Sequence, residues 1–173
     1  GPNIKFFVDH HARGIFEQGA YTSDGAEMAE LRAWVLAKLL WNPQLDGEKV
    51  IAEFVEGYYG SAAPHVKAYL KLLHDAVEAS GDKMGCFSQH TDRFLSFGTL
   101  SRGWGYLGAA EQSVIDDPGM RLRVQCAQLP VMYTFILRWE EFRKKADSIG
   151  AEWPLDNSID LVFEKFKTIA RQN

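Results

Sequence analysis

Apolar residues recur every three or four positions along most of the chain after about residue 25. This spacing returns side chains to one face of an α-helix, so it predicts helices that each bury one side. Cap residues, glycines and prolines divide the pattern into segments. The predicted helices cover residues 26–41, 47–59, 62–79, 99–116 and 119–148, and a last helix follows Asp156 or Asn157 and ends near residue 171. The predicted fold class is therefore mainly α, a bundle of about six helices.

Residues at the predicted helix ends have the types that cap helices. Asp24 and Glu27 have the form of a capping box at the start of the first helix. Pro130 lacks a backbone N–H, so it is expected to kink the long helix 119–148. The other expected caps are Asp46, Ser61 and Thr99 at helix N-termini and Gly60 and Gly81 at C-termini.

A short apolar run before the first of these helices predicts a strand over residues 12–18. A lone strand cannot satisfy its own backbone hydrogen bonds, and the rest of the sequence predicts no partner for it. The chain also starts at Gly1 without an initiator Met. We therefore expect a piece of a longer protein, in which residues 1–25 are what remains of a last strand and its loop and residues 26–173 are a helical domain.

Composition excludes several classes of protein. Of the 173 residues, 46% are hydrophobic and 13% are aromatic, which excludes a disordered chain and supports a substantial core. The net charge is −4 and no basic cluster indicates a nucleic-acid partner. The longest strongly apolar stretch, residues 129–137, is too short to span a bilayer.

The candidate metal ligands and cofactor motifs are weak. The five histidines are not at metal-binding spacings, and Cys86 and Cys126 match no zinc or redox motif, so no metal or cofactor is expected. Free thiols are the first interpretation of the two cysteines, and a disulfide stays open if a parent protein is exported. Gly103, Gly105 and Gly108 match a dinucleotide fingerprint in letters, but both flanks are helical, so close helix packing is the better explanation.

The candidate site residues follow the predicted strand. Glu17 and Gln18 lie at its C-terminal end, before a polar loop that includes Asp24. In a (β/α)8 barrel, catalytic and substrate-binding residues lie at that edge, so Glu17 is the catalytic candidate and Gln18 and Asp24 are the substrate-binding candidates. The alternative is that Glu17 is a solvated or salt-bridged residue.

Three stretches carry a resemblance to a known family. Residues 14–19, 30–43 and 53–63 read GIFEQG, ELRAWVLAKLLWNP and EFVEGYYGSAA. This pattern resembles a largely uncharacterised family of predicted bacterial glycoside hydrolases related to alpha-glucuronidases and hexosaminidases. In such enzymes a helical region follows the last barrel strand and helix, which here correspond to residues 12–18 and 26–41. The resemblance implies a parent protein that acts on polysaccharides and is periplasmic or secreted.

The resulting hypothesis is a non-catalytic C-terminal helical fragment that supports the catalytic barrel of a glycoside hydrolase. The chain alone is then expected to lack glycosidase activity, and its partners are the upstream barrel and a polysaccharide. The alternative is a helical protein-interaction or carbohydrate-binding module, which the many aromatic residues suggest, although most of them fall on apolar stripes. Helix 26–41 has a wide apolar face, so we also expect exposed apolar surface and self-association.

Overall fold

The computed structural model describes residues 2–16, 27–83 and 91–172. Its helices are α1 (Pro2–Asp9), α2 (Ala29–Trp41), α3 (Gly47–Tyr59), a 3₁₀ turn (Gly60–Ala62), α4 (Ala63–Ser80), α5 (Phe97–Ser113), α6 (Pro118–Leu137), α7 (Trp139–Ile149) and α8 (Ile159–Gln172). These ranges contain no β-strand, so the mainly α prediction is confirmed. None of the described helices has the length and apolar character needed to cross a bilayer.

The predicted strand over residues 12–18 is not formed where the structure describes it. Residues 12–16 have neither helix nor strand structure, and Glu17 and Gln18 lie outside the described ranges. A strand requires a neighbour that completes its ladder of hydrogen bonds, and the described part of the chain supplies none. The residues before it form α1, which His10 and Ala12 close through backbone hydrogen bonds to Phe6 and Phe7.

The core lies around α5, which packs against both α4 and α6, with α3 and α7 alongside, and α8 packs on α6. Aromatic rings fill much of it: the Phe135 ring lies 5.1 Å from that of Phe142 and 5.5 Å from that of Trp153, between centroids. Trp139 packs edge-on against Trp153 at 4.8 Å. These contacts place the four rings in the core, as the apolar stripes predict.

The glycine-rich stretch lies inside α5, so it is not a strand-to-helix turn of the dinucleotide type. A Cβ atom at Gly103 would lie 3.1 Å from Cε2 of the Tyr69 ring on α4. Gly105 and Gly108 have no such neighbour within 4 Å. Close helix packing therefore explains Gly103, and the same prediction is wrong for Gly105 and Gly108.

Three predicted helix ends are confirmed at atomic detail. Asp46 Oδ1 accepts hydrogen bonds from the backbone N–H groups of Glu48, at 3.0 Å, and Lys49, at 3.4 Å. Gly60 and Gly81 end α3 and α4 with positive φ angles of 52° and 67°, which glycine adopts at little cost.

Other predicted caps are wrong, because their side chains make other hydrogen bonds or because a neighbouring residue caps the helix. The Ser61 hydroxyl donates to the Ser113 carbonyl at 2.9 Å, and α4 begins only after the 3₁₀ turn. Ser96, not Thr99, caps α5 and accepts from the Thr99 N–H at 3.1 Å. At α8 the cap is Ser158, because its hydroxyl accepts from the Leu161 N–H at 3.4 Å, whereas Asp156 accepts from the N–H of Ser158 itself at 2.9 Å.

The first and the longest predicted helices also differ from the observed ones. Helix α2 starts at Ala29, after Met28 in a left-handed conformation (φ 48°), so Glu27 precedes the helix and forms no capping box. Asp24 lies outside the described residues. The predicted helix 119–148 is two helices, α6 and α7, which separate at Arg138 (φ −111°, ψ 28°) and not at Pro130. The Arg138 guanidinium donates to the Leu95 carbonyl at 2.6 Å, a tertiary contact that a helical period cannot predict.

Candidate functional site

The three residues predicted to form a site, Glu17, Gln18 and Asp24, all lie outside the described residues. Their roles therefore stay predictions. The described residues that flank this segment along the chain are Phe16 and Glu27. Around Glu27 the structure has a groove, and it is the described region with the closest relation in sequence to the predicted site.

Glu27 is held by a buried tyrosine. Tyr69 is 1% exposed, and its hydroxyl donates to Glu27 Oε1 at 2.7 Å. Burial is the main cause that raises the pKa of Tyr69, and the Glu27 carboxylate adds to it. The hydroxyl therefore stays protonated and acts as the donor, so that the first residues before α2 are tied to α4.

The groove beside this hydrogen bond has a volume of about 370 Å³ and a mostly apolar lining. It is lined by Glu27, Met28, Leu31, Arg32, Leu70, Leu73, His74, Val77, Phe94 and Leu95. Glu27 is the one carboxylate among these lining residues, and hydrolysis of a glycosidic bond ordinarily requires two. The described part of the groove is therefore suited to contact an apolar surface rather than to acid–base chemistry.

A second feature of the same region is an exposed apolar face on α2, formed by Trp34, Leu40 and Trp41. Trp34 and Trp41 are two helical turns apart and lie on one side of α2, whose buried residues are Leu31 and Leu39. Trp41 is 92% exposed, and Phe16, before α2, is 88% exposed. The sequence pattern predicts this exposure of the first long helix. We call Trp34, Leu40 and Trp41 the α2 face.

The aromatic row behind the α2 face is packed rather than open. The Trp34 ring lies 6.0 Å from that of Phe54, which stacks on Tyr58 at 4.8 Å. The Arg123 guanidinium lies 4.5 Å from the centre of the Tyr58 ring and donates to the Tyr58 carbonyl at 2.8 Å. Trp41 is therefore the ring of this region with the largest surface available to a partner.

A buried carboxylate, Glu111, lies outside every predicted site. It is 9% exposed and accepts hydrogen bonds from Arg121 Nε at 2.9 Å and Gln125 Nε2 at 2.7 Å on Oε1. Gln128, 1% exposed, donates to Oε2 at 3.0 Å. The signal in the sequence is the spacing of Arg121, Gln125 and Gln128, which places three polar side chains on one face of an otherwise apolar helix.

Burial raises the pKa of Glu111, but the hydrogen bonds from Gln125, Gln128 and Arg121 and the charge of Lys165 together lower it below its usual value. The carboxylate is therefore ionised at neutral pH. An ionised, buried and fully bonded carboxylate positions its donors firmly.

The structure bears on the predicted metal ligands and thiols only where it describes the residues. Within the described ranges no group of three histidine, cysteine or acidic side chains is placed to hold a metal ion. Cys126 is a half-buried free thiol. Burial raises the pKa of this thiol most, and the negative charge of Glu30 raises it further. Cys86 lies outside the described residues, so the free thiol expected there stays a prediction.

Residues 1–71 match the protein family described as Domain of unknown function (DUF4838). The matched residues include α1, α2, α3 and the first part of α4, and with them Glu27, Tyr69 and the α2 face. This part of the chain is thereby related to an uncharacterised family. No curated protein and no solved structure matches the chain.

Proposed function

We propose that this chain is a non-catalytic C-terminal helical fragment of a polysaccharide-acting glycoside hydrolase, in which it supports the catalytic barrel. The observation that carries the proposal is the α2 face, where Trp41 is 92% exposed. The resemblance of residues 14–19, 30–43 and 53–63 to predicted bacterial glycoside hydrolases supports a barrel domain as the body that would cover this face.

Burial of the α2 face would supply binding energy of a useful size. Complete burial of one large apolar side chain contributes about 1.5–3 kcal/mol. Single exposed apolar residues are ordinary on protein surfaces, but Trp34, Leu40 and Trp41 belong to one helix, within two turns of one another. Together they form a contact that an adjacent domain can cover.

The chemistry of the described groove favours a structural role over a catalytic one. A glycosidase places two carboxyl groups on either side of the bond that it cleaves. Glu27 is already bonded to Tyr69 at 2.7 Å, so its carboxylate fixes the start of α2 against α4. This hydrogen bond gives Glu27 a structural role at the start of the helix that carries the α2 face.

A hydrolysis assay tests the absence of activity. The purified chain is incubated with 4-nitrophenyl glycosides of hexoses, hexosamines and hexuronic acids, and release of nitrophenol is followed. We expect no turnover above the buffer control. Turnover that survives further purification and is lost in Glu17→Gln would overturn the proposal.

A stability comparison tests the contact itself. Trp41→Ser should change the free energy of unfolding of this chain by no more than about 0.5 kcal/mol, because the ring is exposed. In a longer protein that includes the barrel, the same change should cost about 1.5–3 kcal/mol, because the ring is then buried. Leu137→Ser, on α6 and 65% exposed, is the control and should have the same small effect in both proteins. Equal effects of Trp41→Ser in both proteins would contradict the proposal.

The second candidate function, carbohydrate binding, rests on the same exposed tryptophan. Flat aromatic rings are suited to stack on sugars, and Trp41 is the ring with the largest accessible surface in this region. Titration with a panel of soluble oligosaccharides distinguishes the two functions. Binding at millimolar sugar that Trp41→Ser abolishes would favour the carbohydrate-binding module over the support.

A further inference from the structure

A cavity of about 590 Å³, widely open to solvent, is lined by residues of α6 and α8. Its volume is in the range of small-molecule sites, about 300–1,000 Å³. Its polar side chains include Arg121 and Gln125 from α6 and Lys165 and Thr168 from α8, and Leu122 and Ile169 contribute apolar surface. On α8 the lining residues recur at helical spacing, which places them on the one face that looks into the cavity.

Glu111 lies behind this cavity and holds two of its side chains in place. Its Oε1 accepts from Arg121 Nε at 2.9 Å and from Gln125 Nε2 at 2.7 Å. Because the carboxylate is buried and also bonded to Gln128, it limits the rotamers of both partners. Side chains that are already ordered lose less entropy when they bind a ligand.

The donors that face the cavity are not all used within the described part of the chain. The side-chain hydrogen bonds of Arg121 there involve Nε alone, which leaves the two terminal guanidinium nitrogens as donors. Lys165 takes part in none of the ion pairs between described residues, and its ammonium group lies 5.5 Å from the centre of the Trp104 ring. The Glu111 charge offsets that of Arg121, so the charge of Lys165 remains uncompensated in this group.

We propose that this cavity binds a small anionic ligand, whose carboxylate or phosphate group is held by Arg121 and Lys165. The planar guanidinium matches two oxygens of either group, and the ammonium adds a second positive charge. Gln125 and Thr168 supply neutral hydrogen-bond partners for hydroxyl groups, and the apolar side chains contact the carbon skeleton. The proposal does not depend on the function proposed for the α2 face.

Titration with three probes tests the requirement for charge. The purified chain is titrated at physiological ionic strength with inorganic phosphate, with gluconate and with sorbitol, by calorimetry and by the NMR shifts of the side-chain amides and the Trp104 indole. Gluconate and sorbitol share an open chain of hydroxyl groups, but only gluconate carries a carboxylate. We expect saturable binding of gluconate, of phosphate or of both, with shifts at Gln125 and Trp104, and none for sorbitol. The better anion identifies the ligand group.

Matched lysine variants locate the site. Lys165→Gln should weaken binding about tenfold, because a charge-assisted hydrogen bond is lost. Lys167→Gln, on the same helix, is the control, since Lys167 pairs with Glu164 at 2.6 Å and does not line the cavity. Both lysines are at the surface, so neither change should prevent folding. Absence of saturable anion binding, equal weakening by the two variants, or equal binding of sorbitol would overturn the proposal.

Discussion

At the scale of single residues, two buried polar side chains connect neighbouring helices of the bundle through hydrogen bonds. Tyr69 is buried, and its hydroxyl donates a hydrogen bond to Glu27 Oε1 at 2.7 Å, so it connects the start of α2 to α4. Glu111 does the same between α5 and α6, with three donors on its two oxygens. A buried carboxylate is costly unless its oxygens are satisfied, so removal of its charge should be measurable.

Glu111→Gln is expected to destabilise the chain by about 1–3 kcal/mol at pH 7, because an amide nitrogen would face a donor where an oxygen now accepts. Burial raises the pKa of Glu111, but its hydrogen bonds and the charge of Lys165 lower it overall. The stabilisation is therefore complete above the pKa of an unfolded glutamate, about 4.3, and is lost as the pH falls through the lower folded-state pKa.

Urea unfolding of both proteins between neutral and acidic pH measures this difference. The difference in the free energy of unfolding between the wild-type chain and Glu111→Gln should disappear at the acidic end of the series. Glu164→Gln, which removes only a surface ion pair with Lys167, is the control and should have a small effect at every pH. A difference that stays constant with pH would show that the charge of Glu111 contributes nothing.

At the scale of elements, the helices that the pattern predicts are found, and their ends depend on what the neighbours require. The bounds of α3 agree with the prediction because Asp46 and Gly60 act on their own helix. The start of α4 is shifted because Ser61 bonds to the end of α5 instead. Helices α4 and α5 approach each other where Gly103 meets the Tyr69 ring, and this contact yields a direct prediction.

Gly103→Ala and Gly105→Ala should have opposite effects on stability. At Gly105 a Cβ atom meets nothing within 4 Å, so the better helix propensity of alanine should stabilise the chain by about 0.5–1 kcal/mol. At Gly103 the new atom would lie 3.1 Å from Tyr69, which is buried and bonded to Glu27 and so cannot easily move. Overpacking there should outweigh the gain and cost about 1–2 kcal/mol net. Chemical denaturation of the two variants checks the signs, and stabilisation by Gly103→Ala would refute the close contact.

At the scale of the whole molecule, the most exposed aromatic rings among the described residues are those of Trp41, at the end of α2, and Phe16. Trp41 is 92% and Phe16 is 88% exposed, whereas the rings of Phe135 and Phe142 are buried at the centre of the bundle. Exposed apolar groups of this kind favour contact with another surface, whether a barrel domain or a second copy of the chain.

In the absence of a covering domain, the chain is expected to self-associate in a concentration-dependent manner through the α2 face. Light scattering over a wide range of protein concentrations should show a rise in mean mass for the wild-type chain. Trp41→Ser should reduce this rise, and Leu137→Ser, which exchanges an exposed leucine on α6, should not. A strictly monomeric wild-type chain would rule out this prediction.

The sequence by itself determined the helical class, the approximate positions of α2 to α5 and α8, the cap at Asp46, the glycine ends with positive φ at Gly60 and Gly81 and the exposed apolar surface of the first long helix. These features follow from residues within a turn or two of one another, so periodicity and cap chemistry are sufficient to predict them. The strand that the apolar run predicts is not formed over residues 12–16, because a strand depends on partners elsewhere in the structure. The roles of Glu17, Gln18 and Asp24 remain predictions because these residues lie outside the described ranges.

Only the tertiary structure decided that Gly103 alone of the three glycines meets a neighbour, that Arg138 separates α6 from α7, and that Glu111 organises three donors beside a cavity. Each of these depends on contacts between residues far apart in the chain, such as Arg138 with the Leu95 carbonyl at 2.6 Å. Helical spacing shows which side of a helix is buried, but it does not show which helix covers that side. The geometry of packing between helices supplies that information, and the candidate sites of this protein lie there.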